Sequence, residues 1–530
     1  MTRADMIYGE TLIPAARLTE RVQRAASGFR ALGIAPGSRV GLLLRNDPVF
    51  LEASLAAQML GAYPVPINWH FEADEIMHVI DDSAPAVLVA HADLLDKIAD
   101  RLPPELSILE VAPAEAPSGA GSPERGRGAP TGAPRREPQI WSVWIEGQER
   151  HLGEPLPATE SLIYTSGTSG KPKGVRRELA TAEVAAAGDR MRSQIFGIEA
   201  GSRVLVPSPV YHTAPNFFAL RALRLAELLV LSPKFEPEAF LADIERHRIT
   251  HVYAVPTIFV RLLELPADTR AAYDLSSLRF ILHAGGPCSP SVKQRMIDWL
   301  GPVICEYYGS TEHGPLTFCD SFEWLGHKGT VGKAAYGVTL RIEDEDGRPL
   351  PTRQIGEITA RNAAHPDFTY HNLEQERNAL RSGDLIRTGD VGYLDEQGFL
   401  FLCDRKRDVV ISGGVNIYPA EIEAVLAACP GVRDAAVFGI PDETYGEALV
   451  AVVQAIEPDS LDEAMIADFL AGRLARFKLP RQIAFVAALP REESGKIRKR
   501  LVREDYLARR PATQAGPDGN DPTLSEQEKA

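Results

Sequence analysis

The chain has 530 residues, 45% of them apolar and 24% charged, and its 57 Lys and Arg against 72 Asp and Glu give a formal charge of −15. This length exceeds what one hydrophobic core serves and predicts roughly two to four compact units of a soluble globular protein. The acidic balance argues against a nucleic-acid binder working through a broad basic surface, although an anion can still be held by a local basic loop. Apolar residues at helical spacing predict a helix over 18–34, stopped by Gly33 and Pro36. A buried strand is expected over 39–44, a helix over 49–60, an extended segment over 63–67, a helix over 73–81 and a strand over 86–89. From 112 to 138, Pro, Gly, Ala, Ser, Glu and Arg dominate, which predicts a flexible loop.

The stretch Thr165-Ser166-Gly167-Thr168-Ser169-Gly170-Lys171-Pro172-Lys173-Gly174 follows the apolar Leu162-Ile163-Tyr164. Its glycines allow close backbone approach, and its hydroxyls and lysines supply donors and positive charge, a composition suited to wrapping phosphate oxygens. Its spacing differs from a Walker loop, since only two residues separate Gly167 from Gly170-Lys171. A solvated Gly/Ser turn has the same composition, so the loop alone does not decide between them.

Beyond it the alternation resumes, with strands over 204–206, 228–231, 251–255, 278–283 and 303–307 and helices over 217–226, 237–247 and 289–300. Alternating strands and helices imply parallel sheet with right-handed crossovers, and hence an α/β fold. The strands end in loops rich in Gly, Pro, His or Thr: Pro207-Ser208-Pro209, Pro256-Thr257, Ala284-Gly285-Gly286-Pro287 and Tyr308-Gly309-Ser310-Thr311-Glu312. Ligands of open α/β sheets lie beyond the carboxyl ends of strands, so these loops are candidates to line one site. Residues 330–403 read as a small β subdomain, and a charged run, Asp404-Arg405-Lys406-Arg407-Asp408, leads into a smaller α+β unit ending near 509. That unit has helices expected over 419–428 and 461–474 and a strand over 435–440. The polar tail 511–530 is expected to be disordered.

Five scattered cysteines without CxxC spacing fit a reducing compartment lacking structural disulfides or a zinc knuckle. Residues 1–5 lead into no apolar signal segment and no apolar run reaches membrane-spanning length, so a cytoplasmic enzyme is the expectation.

Taken in order, the loops resemble the adenylate-forming superfamily of acyl-CoA synthetases, nonribosomal-peptide adenylation domains and firefly luciferase. The resemblance spans nearly the whole chain. It implies a large N-terminal AMP-binding domain, 1–405, with parallel-rich sheets, helices and a small β subdomain, and a small mobile α+β lid domain, 406–510. Residues 165–174 resemble the family's phosphate loop, from which Thr165, Ser166, Gly167, Thr168, Ser169, Gly170, Lys171 and Lys173 would bind ATP. Gly285, Gly286 and Pro287, with Tyr307, Tyr308, Gly309, Ser310 and Thr311, resemble the adenine and metal-binding segments, where Tyr308 would stack on adenine and Thr311 would reach a phosphate. Glu312, with Thr168, would hold Mg²⁺, a hard cation that prefers oxygen. Thr388-Gly389-Asp390 resembles the ribose motif, and Arg405 would also contact the ribose. Arg407 would be the hinge, Gly414 would line the CoA channel, and Lys496 in Ser494-Gly495-Lys496-Ile497 would be the catalytic lysine bridging the carboxylate and the α-phosphate.

The segment 210–218 resembles the family's acyl-proximal segment, with Tyr211, His212, Phe217, Phe218, Tyr253, Val255, Phe259 and Gly309 as candidate lining and His212 as a polarising or shielding group. It lacks the carboxylate that an amino-acid substrate's ammonium would require. The resemblance therefore implies an AMP-forming acyl-CoA ligase acting on a fatty or aromatic acid, with ATP, Mg²⁺ and coenzyme A, and a homodimer as one compatible assembly. A stand-alone ligase loading a carrier protein, a luciferase-like oxygenase and a non-catalytic nucleotide-binding relative are the alternatives.

Overall fold

The computed structural model describes residues 2–112, 138–157, 159–165, 172–413, 415–442, 444–458, 460–491 and 497–509. Two parallel sheets answer the alternation read from the sequence. The first orders its strands Tyr63–Pro66, Arg39–Leu43, Val87–His91, Ser107–Val111 and Gln139–Ile140, all parallel. The second runs Ile304–Glu306, Phe280–His283, His251–Ala254, Arg203–Val206, Leu228–Leu231, Asp5–Tyr8 and Thr11–Ile13, parallel except for the terminal hairpin. Val204, Leu205, Val206, Val252, Ile281 and Leu282 are all buried, as expected of strands covered on both faces.

The hairpin at residues 5–13 was not foreseen. Its first strand, Asp5–Tyr8, is short and pairs with Leu228–Leu231, far away in sequence, while Thr11–Ile13 forms the sheet edge. Several helices also went unread, among them Ala182–Phe196 and Pro256–Leu263. The first carries alanines on an exposed face and so lacks a strong apolar stripe. The second opens on Pro256, which reads as a breaker but is well tolerated in a helix's first turn. The helix expected over 217–226 begins earlier, at Thr213. Pro215 sits in its first turn, where no N–H is needed. His212 thereby becomes the residue that caps the helix, not part of a free loop.

An antiparallel five-stranded sheet forms the β subdomain from Val338–Glu343, Gly356–Asn362, Leu385–Leu394, Arg381–Ser382 and Leu400–Arg405. A three-stranded sheet places Lys173–Arg177 between Ile163–Thr165 and Phe368–Tyr370.

The chain divides into two compact units after Arg407. In the second, Val432–Asp442 and Gly446–Ala455 form a long antiparallel pair, with Val410–Ser412, Val415–Ile417 and the parallel strand Gln482–Phe485 beside it. Strand alternation sorts the core onto two faces. Val437, Leu449, Ala451 and Val453 pack with Ile422, Leu426, Ile466 and Leu470, whereas Phe438, Ile440, Val450 and Val452 pack with Leu489 and Val502.

Candidate active site

Parallel pairing puts the carboxyl ends of the second sheet's strands on one edge. Register aligns Ala254 with His283 and His283 with Glu306. The loops after Val206, Ala254, His283 and Glu306 therefore open on the same side.

Three of the expected nucleotide residues meet there. Tyr308 Oη donates to Asp390 Oδ2 at 2.6 Å, and Arg405 Nε lies 3.6 Å from Asp390 Oδ1. Asp390 and Arg405 face each other across neighbouring strands of the β subdomain. Burial, then the Asp390 carboxylate, pushes the Tyr308 phenol well above its ordinary range, so it stays a donor.

Around Glu312, the hydroxyls of Tyr370 and Thr165 both donate to Oε1, at 3.2 and 3.4 Å. Oε2 accepts no hydrogen bond among the described residues. The Thr311 and Thr213 hydroxyls are 2.7 Å apart, which ties this loop to the first residue of the helix Thr213–Leu225. Arg177 Nη2 donates to the Thr311 carbonyl at 2.5 Å and Nη1 to the Pro366 carbonyl at 2.8 Å. Behind it Glu160 Oε2 lies 3.6 Å from Arg177 Nε and 3.5 Å from His365 Nε2. Burial drives Glu160 upward against the pull of Arg177, and drives the His365 pKa well down, so that imidazole is neutral. Sequence reading missed Tyr370, Arg177 and Glu160. The one available signal was the chain's Phe368-Thr369-Tyr370-His371-Asn372, whose tyrosine proves to reach Glu312.

Lys173 lies on the strand Lys173–Arg177, paired with Glu376 and positioned over the Tyr370 ring. Gly309 and Ser310 form a tight hairpin with Gly314-Pro315. A Cβ on Gly309 would stand 2.3 Å from the Gly314 carbonyl oxygen, so no side chain fits. Ser166, Gly167, Thr168, Ser169, Gly170, Lys171, Gly414 and Lys496 lie outside the described residues, as do most of 112–138 and all of 511–530.

On the acyl side, Tyr211, Phe218, Tyr253, Val255 and Phe259 are buried and Phe217 is partly so. The Tyr211 and His212 rings are 4.3 Å apart. His212 Nε2 is enclosed without a hydrogen-bond partner, and burial lowers the imidazole's pKa to about 4. The ring is thus neutral near pH 7. Asn46, unremarked in the sequence, fixes this segment: Nδ2 donates to the Ser208 and Ser232 carbonyls at 3.1 and 2.9 Å, and Oδ1 accepts from Val210 N at 2.8 Å. Gly285 has φ +84°, and a Cβ there would lie 3.7 Å from Tyr253 Oη and 3.8 Å from Val255 Cγ1.

Residues 6–365 match the family model of AMP-binding enzymes, and 421–496 match that family's C-terminal domain. The chain belongs to the AMP-binding enzymes. These are the AMP-forming ligases of the adenylate-forming superfamily, the family resemblance of the loops, and ATP binding goes with it. The indoleacetate–CoA ligase of Aromatoleum aromaticum is 34% identical over 500 residues, covering 92% of each chain. The long-chain-fatty-acid–CoA ligase FadD13 of Mycobacterium tuberculosis is 30% identical over 500 residues, covering 94% of this chain and 93% of its own. Among solved structures, ATP-bound MatB from Rhodopseudomonas palustris superposes with a TM-score of 0.80 at 27% identity, over 95% of this chain and 96% of that one. The mixed α/β fold with parallel-rich sheets is the one read from the sequence. No helix among the described residues is long and apolar enough to cross a membrane.

Proposed function

We propose that this AMP-binding enzyme is an acyl-CoA ligase that activates an apolar carboxylic acid, aromatic or fatty, as its acyl-adenylate and passes the acyl group to coenzyme A. One observation carries the reading. Tyr308, Asp390 and Arg405 converge at one group of loops, and Glu312 is held next to Thr311 with one carboxylate oxygen open among the described residues. Beside them the segment around His212 is apolar and bears no carboxylate. The relatives support it, since they are CoA ligases of indoleacetate and of long-chain fatty acids.

In the first step a carboxylate oxygen attacks the α-phosphorus of ATP, a P–O bond forms, and pyrophosphate leaves with the electrons of the broken P–O bond. Asp390 would accept from the ribose hydroxyls, with Tyr308 fixing one of its oxygens and Arg405 beside the other. Thr165 and Thr311 would donate to phosphate oxygens, together with the 166–171 loop and Lys173. No group of three or more His, Cys, Asp or Glu side chains gathers among the described residues. Mg²⁺ is commonly bound by one or two carboxylates together with substrate phosphates. Glu312, with Thr168, would hold it, and when bound it neutralises phosphate charge. Neutral His212 would shield the acid's carboxylate without competing as an ion pair. In the second step the CoA sulfur attacks the acyl carbonyl, the C–O bond to AMP breaks, and the thiol proton is lost to solvent.

Lys496 is assigned to the first step, Gly414 to the CoA channel and Arg407 to a hinge between an AMP-binding domain, 1–405, and a lid, 406–510. The support for these is the resemblance of their motifs. The test is a panel of aromatic and fatty acids assayed for pyrophosphate and for CoA thioester. Pyrophosphate and thioester together are expected. No pyrophosphate across the panel overturns the ligase reading, and pyrophosphate without thioester redirects it to another acceptor, such as a carrier protein.

A further inference from the structure

Two buried phenols near the acyl-side residues have no hydrogen-bond partner among the described residues. Tyr253 lies on the strand His251–Ala254, and Tyr307 directly follows Ile304–Glu306. Register places Tyr253 opposite Leu282 and Leu282 opposite Cys305. Tyr307 is two residues beyond Cys305, so both tyrosines project from the same face of the sheet, two strand spacings across and two residues along, or roughly 12 Å apart at the backbone. Aromatic contacts join them: Tyr253 to Phe218 at 5.8 Å, Phe218 to Phe196 at 5.6 Å, and Phe196 to Tyr307 at 6.5 Å between ring centroids.

Tyr253 is 1% exposed and Tyr307 9%. Neither hydroxyl makes a hydrogen bond among the described residues, and neither is among the fully enclosed unpartnered atoms. What little surface Tyr253 shows must therefore include its hydroxyl oxygen, and a Cβ on Gly285 would come within 3.7 Å of that oxygen. Burying a hydroxyl without a partner is costly, so a donor left open at a binding face marks where a ligand atom completes the bond. Among the described residues no charged side chain bears on either phenol: burial raises both, and for Tyr253 the neighbouring Tyr307 adds to it. A second carboxylate on the substrate would be unpaired there, whereas a neutral oxygen would be satisfied.

We propose that the acid this enzyme prefers carries a neutral oxygen acceptor (a methoxy, hydroxyl or keto group) on its apolar body, away from the reacting carboxyl, and that Tyr253 and Tyr307 donate to it. This rests on the acyl-ligase reading and narrows its substrate class.

The test is ATP–pyrophosphate exchange by the full chain with matched acids: cinnamic against 4-methoxycinnamic, and octanoic against 7-oxo-octanoic. Wild type is compared with Tyr253→Phe, Tyr307→Phe and the double variant. Each substitution removes a single oxygen, and the two single variants stand in for each other should one fold poorly. Wild type is expected to favour the oxygenated member of at least one pair in kcat/KM by about tenfold or more, and each Phe variant to lower that ratio about five- to tenfold. A ratio near one in the wild type, or a ratio that the Phe variants leave unmoved, overturns the proposal while the ligase reading stands. No exchange with any acid overturns both.

Discussion

The Tyr308 hydroxyl donates to Asp390 across 82 positions of sequence, at 2.6 Å. It joins the loop after a parallel strand to the middle of an antiparallel one. The bond occupies one acceptor of Asp390 and orients the other toward Arg405. Tyr308→Phe is expected to raise KM for ATP about fivefold, the worth of one hydrogen bond near 1 kcal/mol. Asp390→Ala, which removes the acceptor itself, is expected to lower kcat/KM for ATP about 30- to 100-fold. Initial rates of pyrophosphate release against ATP concentration check both, and an Asp390→Ala enzyme with wild-type kinetics would remove that residue from the nucleotide site.

Arg177 supports the same site from behind. Its guanidinium is buried, holds the Thr311 and Pro366 carbonyls, and stands over the Phe368 ring. Arg177→Met leaves buried Glu160 with the Arg192 guanidinium but without its nearer partner, and is expected to destabilise the first unit by about 3 kcal/mol. Arg177→Lys keeps the charge but loses the fork that spans two carbonyls. It is expected to fold and to need several-fold more Mg²⁺ for half-maximal pyrophosphate release, because Thr311 and Glu312 are held less firmly. A Mg²⁺ titration identical to wild type would assign Arg177 to stability alone.

Lys293 and Glu306 form a buried pair at 2.6 Å, with the Lys293 ammonium over the Trp324 ring. Lys293→Met strands the carboxylate and is expected to cost about 3–5 kcal/mol, whereas Lys293→Met with Glu306→Gln is expected to cost clearly less than the sum of the single changes. Denaturant unfolding of the three variants measures the coupling, and simple additivity would mean that the pair contributes nothing beyond its separate parts.

His212 and His313 both have pKa values lowered to about 4 by burial. The unfolded chain binds protons on these rings below about pH 6.5, where the folded chain does not. Stability therefore falls as pH drops from about 6.5 toward 4 and is flat with respect to these rings above 6.5, with a slope of about 1.4 kcal/mol per pH unit per histidine in the window. Urea midpoints at pH 5 and pH 7.5 test the sign. His212→Gln should flatten the slope by one proton's worth, and an undiminished slope in that variant would exclude His212 as a contributor.

Continuous apolar strands and periodic helices made the parallel sheets legible, because burial on both faces leaves a mark in local composition. Helix 237–247 was read to its observed ends, Pro237–His247. The helix Ala182–Phe196 and the hairpin at residues 5–13 left weaker marks, since one is largely solvent-facing and the other exists only through a distant partner. The candidate site divides in the same way. Its loops were recognisable as glycine- and hydroxyl-rich strings, each a short-range pattern. Tyr370, Arg177, Glu160 and Asn46 were not, because a lone tyrosine, arginine, glutamate or asparagine has the same local appearance whether or not it meets a loop a hundred residues away.

By itself the sequence determined the α/β class, the order of the ligand-facing loops and the family they resemble, all carried by contiguous residues. Only the tertiary structure decided that Tyr308 occupies Asp390 and that, among the described residues, one oxygen of Glu312 remains open and the phenols of Tyr253 and Tyr307 stand unpartnered. Each of these is set by strand register and by the burial of polar atoms, and those arise only when segments far apart in the chain are packed together.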